Sequence, residues 1–249
     1  MIQKIIAIGG GDIRKNDTLL IDQEIVKASG KIQPNLLFIP TASLDNNAYI
    51  ATITDYFQKL NCVVDTLCLI NQAPSANEIK TKILQADIIY VGGGNTLRMM
   101  NLWRRLGVDK LLQLAQNQGK VLCGVSAGSI CWFNAGNSDS RKFKNPNADY
   151  IKVAGLGFIE ALHCPHFDSE SVRKDSLKKM LKKYPGVAIA LEDCTALQIV
   201  GVNYRILKNK PNANAYKTYW HAGNFYETII PATENFKPLT QLLLKNTNE

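Results

Sequence analysis

Apolar runs and helically spaced apolar residues alternate along the first half of the chain. Ile2 to Ile8 is an apolar run that stops at Gly9-Gly10-Gly11. A short run bounded by glycine reads as a buried strand. Similar runs return at Asn35 to Ile39, closed by Pro40, and at Val63 to Leu69, Ala86 to Val91 and Val121 to Gly124. Helical spacing fills the intervals: Thr18 to Ser29, Ala48 to Leu60, Leu97 to Leu106 and Asp109 to Gln116. Ser75-Ala76-Asn77-Glu78 is a capping box that opens a further helix. Strands alternating with helices predict a parallel sheet covered on both faces. In such sheets the ligand crevice lies at the carboxyl ends of the strands.

The pattern changes after Phe133. Asn134 to Tyr150 is polar and reads as a long loop. Gly155 to His166 carries a strand and ends in histidines. Glu170 to Tyr184 reads as a helix with Val172, Leu177, Met180, Leu181 and Tyr184 on its inner face. Gly186 to Leu191, Thr195 to Val200 and Tyr204 to Leu207 read as antiparallel strands. A strand at Phe225 to Ile230 and a helix at Glu234 to Lys245 follow. With no linker, repeat or low-complexity segment, residues 1–249 are expected to form one domain.

Candidate chemistry sits at the glycine-rich turns after these strands. Gly124-Val125-Ser126-Ala127-Gly128 is a G-x-S-x-G pattern between a strand and a helix. A serine on so sharp a turn needs flanks nearly free of side chains, and the turn lifts its hydroxyl above the sheet. A hydroxyl is a poor nucleophile until a base takes its proton. Histidine titrates near neutrality and suits that task. The chain has His163, His166 and His221. His166 leads, because Pro165 restrains the backbone before it. His221 lies among aromatic residues and fits a packing role. An orienting acid is also needed. Asp139, Asp168, Glu192 and Asp193 are all placed for it, and spacing alone does not choose. One oxyanion N–H is expected from Ala127, directly after the serine. The other is expected from Gly93 or Gly94 in the neighbouring turn.

The other glycine turns fit alternatives poorly. Gly9 and Gly11 do not begin a dinucleotide fingerprint, since Arg14 stands where a third glycine is required. Gly92 to Gly94 lacks the Gly-Lys-Ser/Thr of a phosphate loop.

Composition narrows the reading. The 249 residues are 46% hydrophobic and 20% charged, which fits a globular α/β domain. No apolar run approaches a membrane span, and Met1 runs straight into a strand pattern with no signal layout, so a cytoplasmic protein is expected. Six cysteines lie mostly within apolar segments and form no C-x-x-C pair; reduced packing thiols are expected. The net charge is +8, yet the lysines are scattered, and Lys178, Lys179, Lys182 and Lys183 share a solvated helix face. A nucleic-acid partner is therefore not expected.

Gly92-Gly93-Gly94-Asn95-Thr96 after a strand, then Gly124-x-Ser126-Ala127-Gly128, then Pro165-His166-Phe167, resembles the peptidase E family, which includes cyanophycinases and is similar in fold to class I glutamine amidotransferases. The resemblance spans roughly the whole chain. It implies a flavodoxin-like three-layer α/β sandwich, with a mostly parallel central sheet and antiparallel strands toward the C-terminus. It implies a serine peptidase acting on small peptides, with no metal or other cofactor. By motif, Ser126 is the nucleophile, His166 the base, and Gly94 and Ala127 the oxyanion donors. Gly93, Asn95 and Gly128 are expected to border the substrate. For the acid, the cyanophycinase-like D-E-x-T-A stretch reads here Glu192-Asp193-Cys194-Thr195-Ala196 and favours Asp193. Glu192 is the alternative there, and Asp139 is the alternative on the loop after the elbow. A homodimer is left open. The other readings weighed are an amidotransferase-like domain, against which Ser126 stands in place of cysteine, and a non-catalytic binding domain of the same fold.

Overall fold

The structure, a computed structural model, describes residues 2–168 and 171–245. Five parallel strands form its centre: β1 (Lys4–Ile8), β2 (Asn35–Ile39), β3 (Val63–Thr66), β4 (Ile88–Val91) and β5 (Val121–Val125). They stand in the order β1-β5-β4-β2-β3. Helices α1 (Leu19–Ala28), α2 (Asn47–Lys59), α3 (Ala76–Gln85), α4 (Thr96–Leu106) and α5 (Val108–Asn117) connect them, and the single-turn α6 (Ala127–Ile130) follows β5.

Alternation along each strand divides the core. Ile6 and Ile8 of β1 pack with Ile21 and Ile25 of α1 and with Ile53 and Phe57 of α2. Ile5 and Ala7 face the other way, into the cluster holding Ile79 and Ile83 of α3 and Met99, Met100 and Trp103 of α4. Each of these side chains is essentially inaccessible to water. Burial of such a side chain contributes roughly 1.5–3 kcal/mol, so the helices are held by packing more than by their own propensity.

The expected sandwich is present, and the second half of the chain adds to it. The strands β6 (Phe133–Ser138), β7 (Ile151–Ala154), β8 (Ile159–Pro165), β9 (Val187–Leu191), β10 (Thr195–Val200), β11 (Asn203–Lys208), β12 (Ala215–His221), β13 (Asn224–Ile230) and β14 (Lys237–Pro238) serve two sheets. β10 pairs antiparallel with β1 and carries β11 and β14 outward, giving an eight-stranded sheet among the described residues. The others form a second sheet, β13-β12-β9-β8-β6-β7, in which β6, β8 and β9 are parallel. Ile189 and Leu191 of this sheet share a cluster with Ile5 and Ala7 of the first. On its other face, Leu162 and Cys164 pack with Leu177, Met180 and Leu181 of α7 (Ser171–Lys183).

Four readings of the second half need correction. The stretch read as a loop begins with β6, whose Ala135, Gly136 and Asn137 are buried between β7 and β8. β9 leaves the β10–β11 hairpin and runs parallel to β8 instead. On α7 the inner face carries Arg173, 2% exposed, while Val172 and Tyr184 point outward. The last helix, α8 (Leu239–Leu243), is shorter than its pattern, because Lys237–Pro238 pairs with β11 first. Glu170, the first residue of the expected α7, lies outside the described residues.

Candidate active site

Carboxyl ends of strands from both sheets meet at one place. β5 delivers Ser126, β8 delivers His166, and β9 ends just before Glu192 and Asp193. Ser126 has φ 58° and ψ −112°, which no L residue adopts without strain. Its N–H donates to the Ile8 carbonyl at 3.1 Å, pinning the bend to β1. Its carbonyl accepts from the N–H groups of Ser129 and Ile130 at 3.0 Å. The glycines allow close passage here: a Cβ on Gly128 would stand 2.1 Å from the Val91 carbonyl oxygen, and one on Gly124 would stand 2.6 Å from it.

His166 Nε2 lies 2.6 Å from Ser126 Oγ, and its Nδ1 lies 2.8 Å from Asp193 Oδ1. The imidazole thus bridges the hydroxyl and the carboxylate. His166 has φ 150° and Cys194, directly after Asp193, has φ 66°. Strained backbone therefore occurs at or beside all three members. The Cys194 N–H donates to the Gly10 carbonyl, and the Asp193 N–H to Asp168 Oδ1 at 3.2 Å.

Gly10 was missed by the sequence reading. A Cβ there would stand 1.9 Å from Asp193 Oδ1 and 2.3 Å from His166 Nδ1. The Gly9-Gly10-Gly11 turn is thus the wall against which the His–Asp pair rests. The available signal was a third glycine-rich turn at a strand end, parallel to those at Gly92 and Gly124.

Other candidates take other places. Glu192 turns away: its oxygens accept from Tyr216 Oη at 2.8 Å and the Asn214 N–H at 2.7 Å. Consecutive residues at a strand end point to opposite sides, so only one of Glu192 and Asp193 reaches the imidazole. Asp139 follows β6, where its carbonyl accepts the Lys142 N–H, and it does not meet His166. Asn95 caps α4, accepting the Arg98 N–H at 3.0 Å and donating to the Ser140 carbonyl at 2.9 Å; it is buried. Gly128 is likewise buried against β4. Gly93 does lie beside the serine, its Cβ position 3.4 Å from Ser126 Cβ. Its N–H faces Tyr49 Oη at 3.4 Å. Gly94 has φ +133°, and a Cβ there would meet the Ala42 carbonyl at 2.3 Å.

His163 is a satisfied core histidine beneath the elbow. Nδ1–H donates to the Ile189 carbonyl at 2.9 Å, and the ring stacks on Phe133. Its Nε2 then accepts from the Ser129 hydroxyl at 2.8 Å, which also lies 2.7 Å from the Ser126 carbonyl oxygen. Burial pushes its pKa down to about 3, so the ring stays neutral. His221 ends β12 at a hairpin. The six cysteines are free and buried, and burial pushes the Cys164 thiol up to about 12. Among the described residues no group of three or more His, Cys, Asp or Glu converges to hold a metal, and no helix is long and apolar enough to cross a membrane.

Comparison with known proteins gives the family. The model of peptidase family S51 matches residues 5–207. The chain belongs to peptidase family S51. Membership makes it a serine peptidase, a hydrolase. This S51 peptidase is 33% identical over 233 residues to "Uncharacterized peptidase YgaJ" of Bacillus subtilis, covering 92% of the chain and 98% of the relative. It is 25% identical over 197 residues to the "Probable alpha-aspartyl dipeptidase" of Drosophila melanogaster, covering 73% and 75%. The fold matches a crystal structure of a putative peptidase E from Listeria monocytogenes with a TM-score of 0.66 at 21% identity, over 84% of this chain and all of that one.

Proposed function

We propose that this S51 peptidase hydrolyses small peptides through Ser126, His166 and Asp193. The observation that carries the assignment is the unbroken chain of contacts at 2.6 and 2.8 Å from hydroxyl to imidazole to carboxylate. Asp193 accepts the Nδ1 proton and so leaves Nε2 bare toward the serine. His166 takes the Ser126 proton as Oγ attacks the scissile carbonyl carbon. Negative charge develops on the carbonyl oxygen. The Ala127 N–H, first in α6 and lacking an acceptor within the helix, stabilises it together with the Gly94 N–H. The amine departs with the proton from His166. Water, deprotonated by the same imidazole, then hydrolyses the acyl-enzyme and frees Ser126.

The Drosophila relative's name makes aspartyl dipeptides the first substrates to try. The test is a dipeptide library together with a fluorophosphonate probe, run on the wild type and on Ser126→Ala. Turnover and labelling are expected for the wild type only. Equal labelling of both proteins would remove Ser126 from its role.

A further inference from the structure

A second feature of the molecule opens beside the Gly94 turn. A cavity of about 680 Å³ lies between one face of α4 and the segment after β6. It begins at Asn95, next in sequence to Gly94 and two residues from Gly93, whose Cβ position contacts Ser126. Two residues span at most about 7 Å, so the cavity begins within that distance of the glycine that lies beside Ser126. Its far end, at Arg105, is ten residues along the helix, a distance of roughly 15 Å.

The lining is strongly one-signed. Arg98, Arg105, Arg141 and Lys144 contribute four positive charges, and no Asp or Glu lines the cavity. None of the four forms an ion pair among the described residues. Leu97 and Leu102 provide apolar surface between them. The two walls are fastened to each other. Asn95 donates to the Ser140 carbonyl, Ser140 Oγ accepts the Leu97 N–H at 2.9 Å, and Ser138 Oγ contacts both Thr96 Oγ1 and Ser140 Oγ. The cavity is therefore formed before any ligand arrives, and the N-terminal end of α4 adds its own positive potential.

Such a field orients a small peptide. Near neutral pH the peptide has an ammonium at one end and a carboxylate at the other. Four uncompensated cations repel the first and attract the second. We propose that the cavity is a subsite for the C-terminal, carboxylate-bearing end of the substrate, with Arg98, Arg141 and Lys144 as its anion-binding residues. This rests on the function proposed above and deepens it. The peptide is bound with its amine directed away from α4 and its free carboxylate between the two walls. Apolar side chains near that end lie on Leu97 and Leu102. Recognition of the carboxylate favours short peptides, whose ends reach the cavity from the scissile bond.

The test compares one hydrolysed dipeptide with its C-terminal amide. The free acid is expected to have kcat/KM at least about tenfold higher, the difference lying in KM, since a charge-assisted contact of this kind is worth a factor of ten or more. In Arg98→Gln/Lys144→Gln that ratio should fall toward one. Lys59→Gln, which removes a charge on α2, should leave it unchanged. Fluorophosphonate labelling of Ser126 reports whether the double variant is folded; if it is not, Arg141→Gln alone carries the comparison. Binding of both peptides to Ser126→Ala, followed by calorimetry, gives the same comparison without turnover. Equal KM and equal binding for acid and amide, or a preference that survives the double variant, would overturn the subsite. Absence of labelling in the wild type would instead overturn the function on which it rests.

Discussion

At the scale of single residues, placement of the acid is the sharpest question the site poses. Glu192 and Asp193 are neighbours, yet their side chains have different partners. Asp193→Asn is expected to lower kcat by roughly 10⁴, because an amide in place of the carboxylate stabilises the wrong imidazole tautomer. Glu192→Gln and Asp139→Asn should stay within a few-fold of wild type. Steady-state kinetics on the three variants checks the assignment; a large loss in Glu192→Gln alone would reverse it. Gly10 makes a second prediction. Its backbone is compatible with alanine, so Gly10→Ala acts only through the methyl that would overlap Asp193 Oδ1 and His166 Nδ1. We expect kcat to fall by about 10² or more while the melting temperature changes little, since the clash falls on side chains at the edge of the fold. Wild-type turnover in this variant would show that the pair has room to move. Ser126 and His166 were identifiable from motif chemistry. Gly10 was not, because its importance comes from what packs on it and not from any motif of its own.

At the scale of elements, α1 carries a carboxyl that the site does not use. Asp22 is fully buried and accepts from Thr18 Oγ1 at 2.7 Å and Tyr56 Oη at 3.0 Å, all on one oxygen, while Oδ1 has no partner. Desolvation pushes its pKa up to about 7. In the unfolded chain it titrates near 4. Between those values the native state keeps a proton that the unfolded state loses. Stability is therefore expected to fall as pH rises from about 4 to 7 and to level off above, by on the order of 4 kcal/mol from this residue. Urea denaturation at pH 5 and pH 7.5 should show a smaller difference for Asp22→Asn than for wild type. Matching differences would mean that Asp22 is ionised in the fold. Elements with local signals were legible. The Ser75–Glu78 capping box is present with both of its hydrogen bonds, and β1 to β5 lie where apolar runs placed them. β6 was not legible, since Asn134, Asn137 and Ser138 give it a polar composition. Its burial comes from pairing with β7 and β8, which no local pattern encodes.

At the scale of the whole molecule, the second sheet is what completes the site. β5 offers a strained serine, but the imidazole and the carboxylate that line up with it arrive on β8 and after β9, from the other sheet. Because Ile189 and Leu191 share a cluster with Ile5 and Ala7, we propose that the two sheets unfold together as one unit. Urea transitions followed by tryptophan fluorescence and by circular dichroism should then coincide. Two separated transitions would divide the chain into independent domains.

The amino-acid sequence by itself determined the parallel strand–helix alternation, the elbow at Ser126 and His166 as the leading candidate beside it. Each is local: an apolar period, a glycine pair around a tight bend, a proline before a ring. Only the tertiary structure decided which carboxylate faces the imidazole, that Gly10 backs the pair, and that four scattered cations share one cavity. Those are facts of proximity between segments distant in the chain, set by strand register and by the meeting of two sheets.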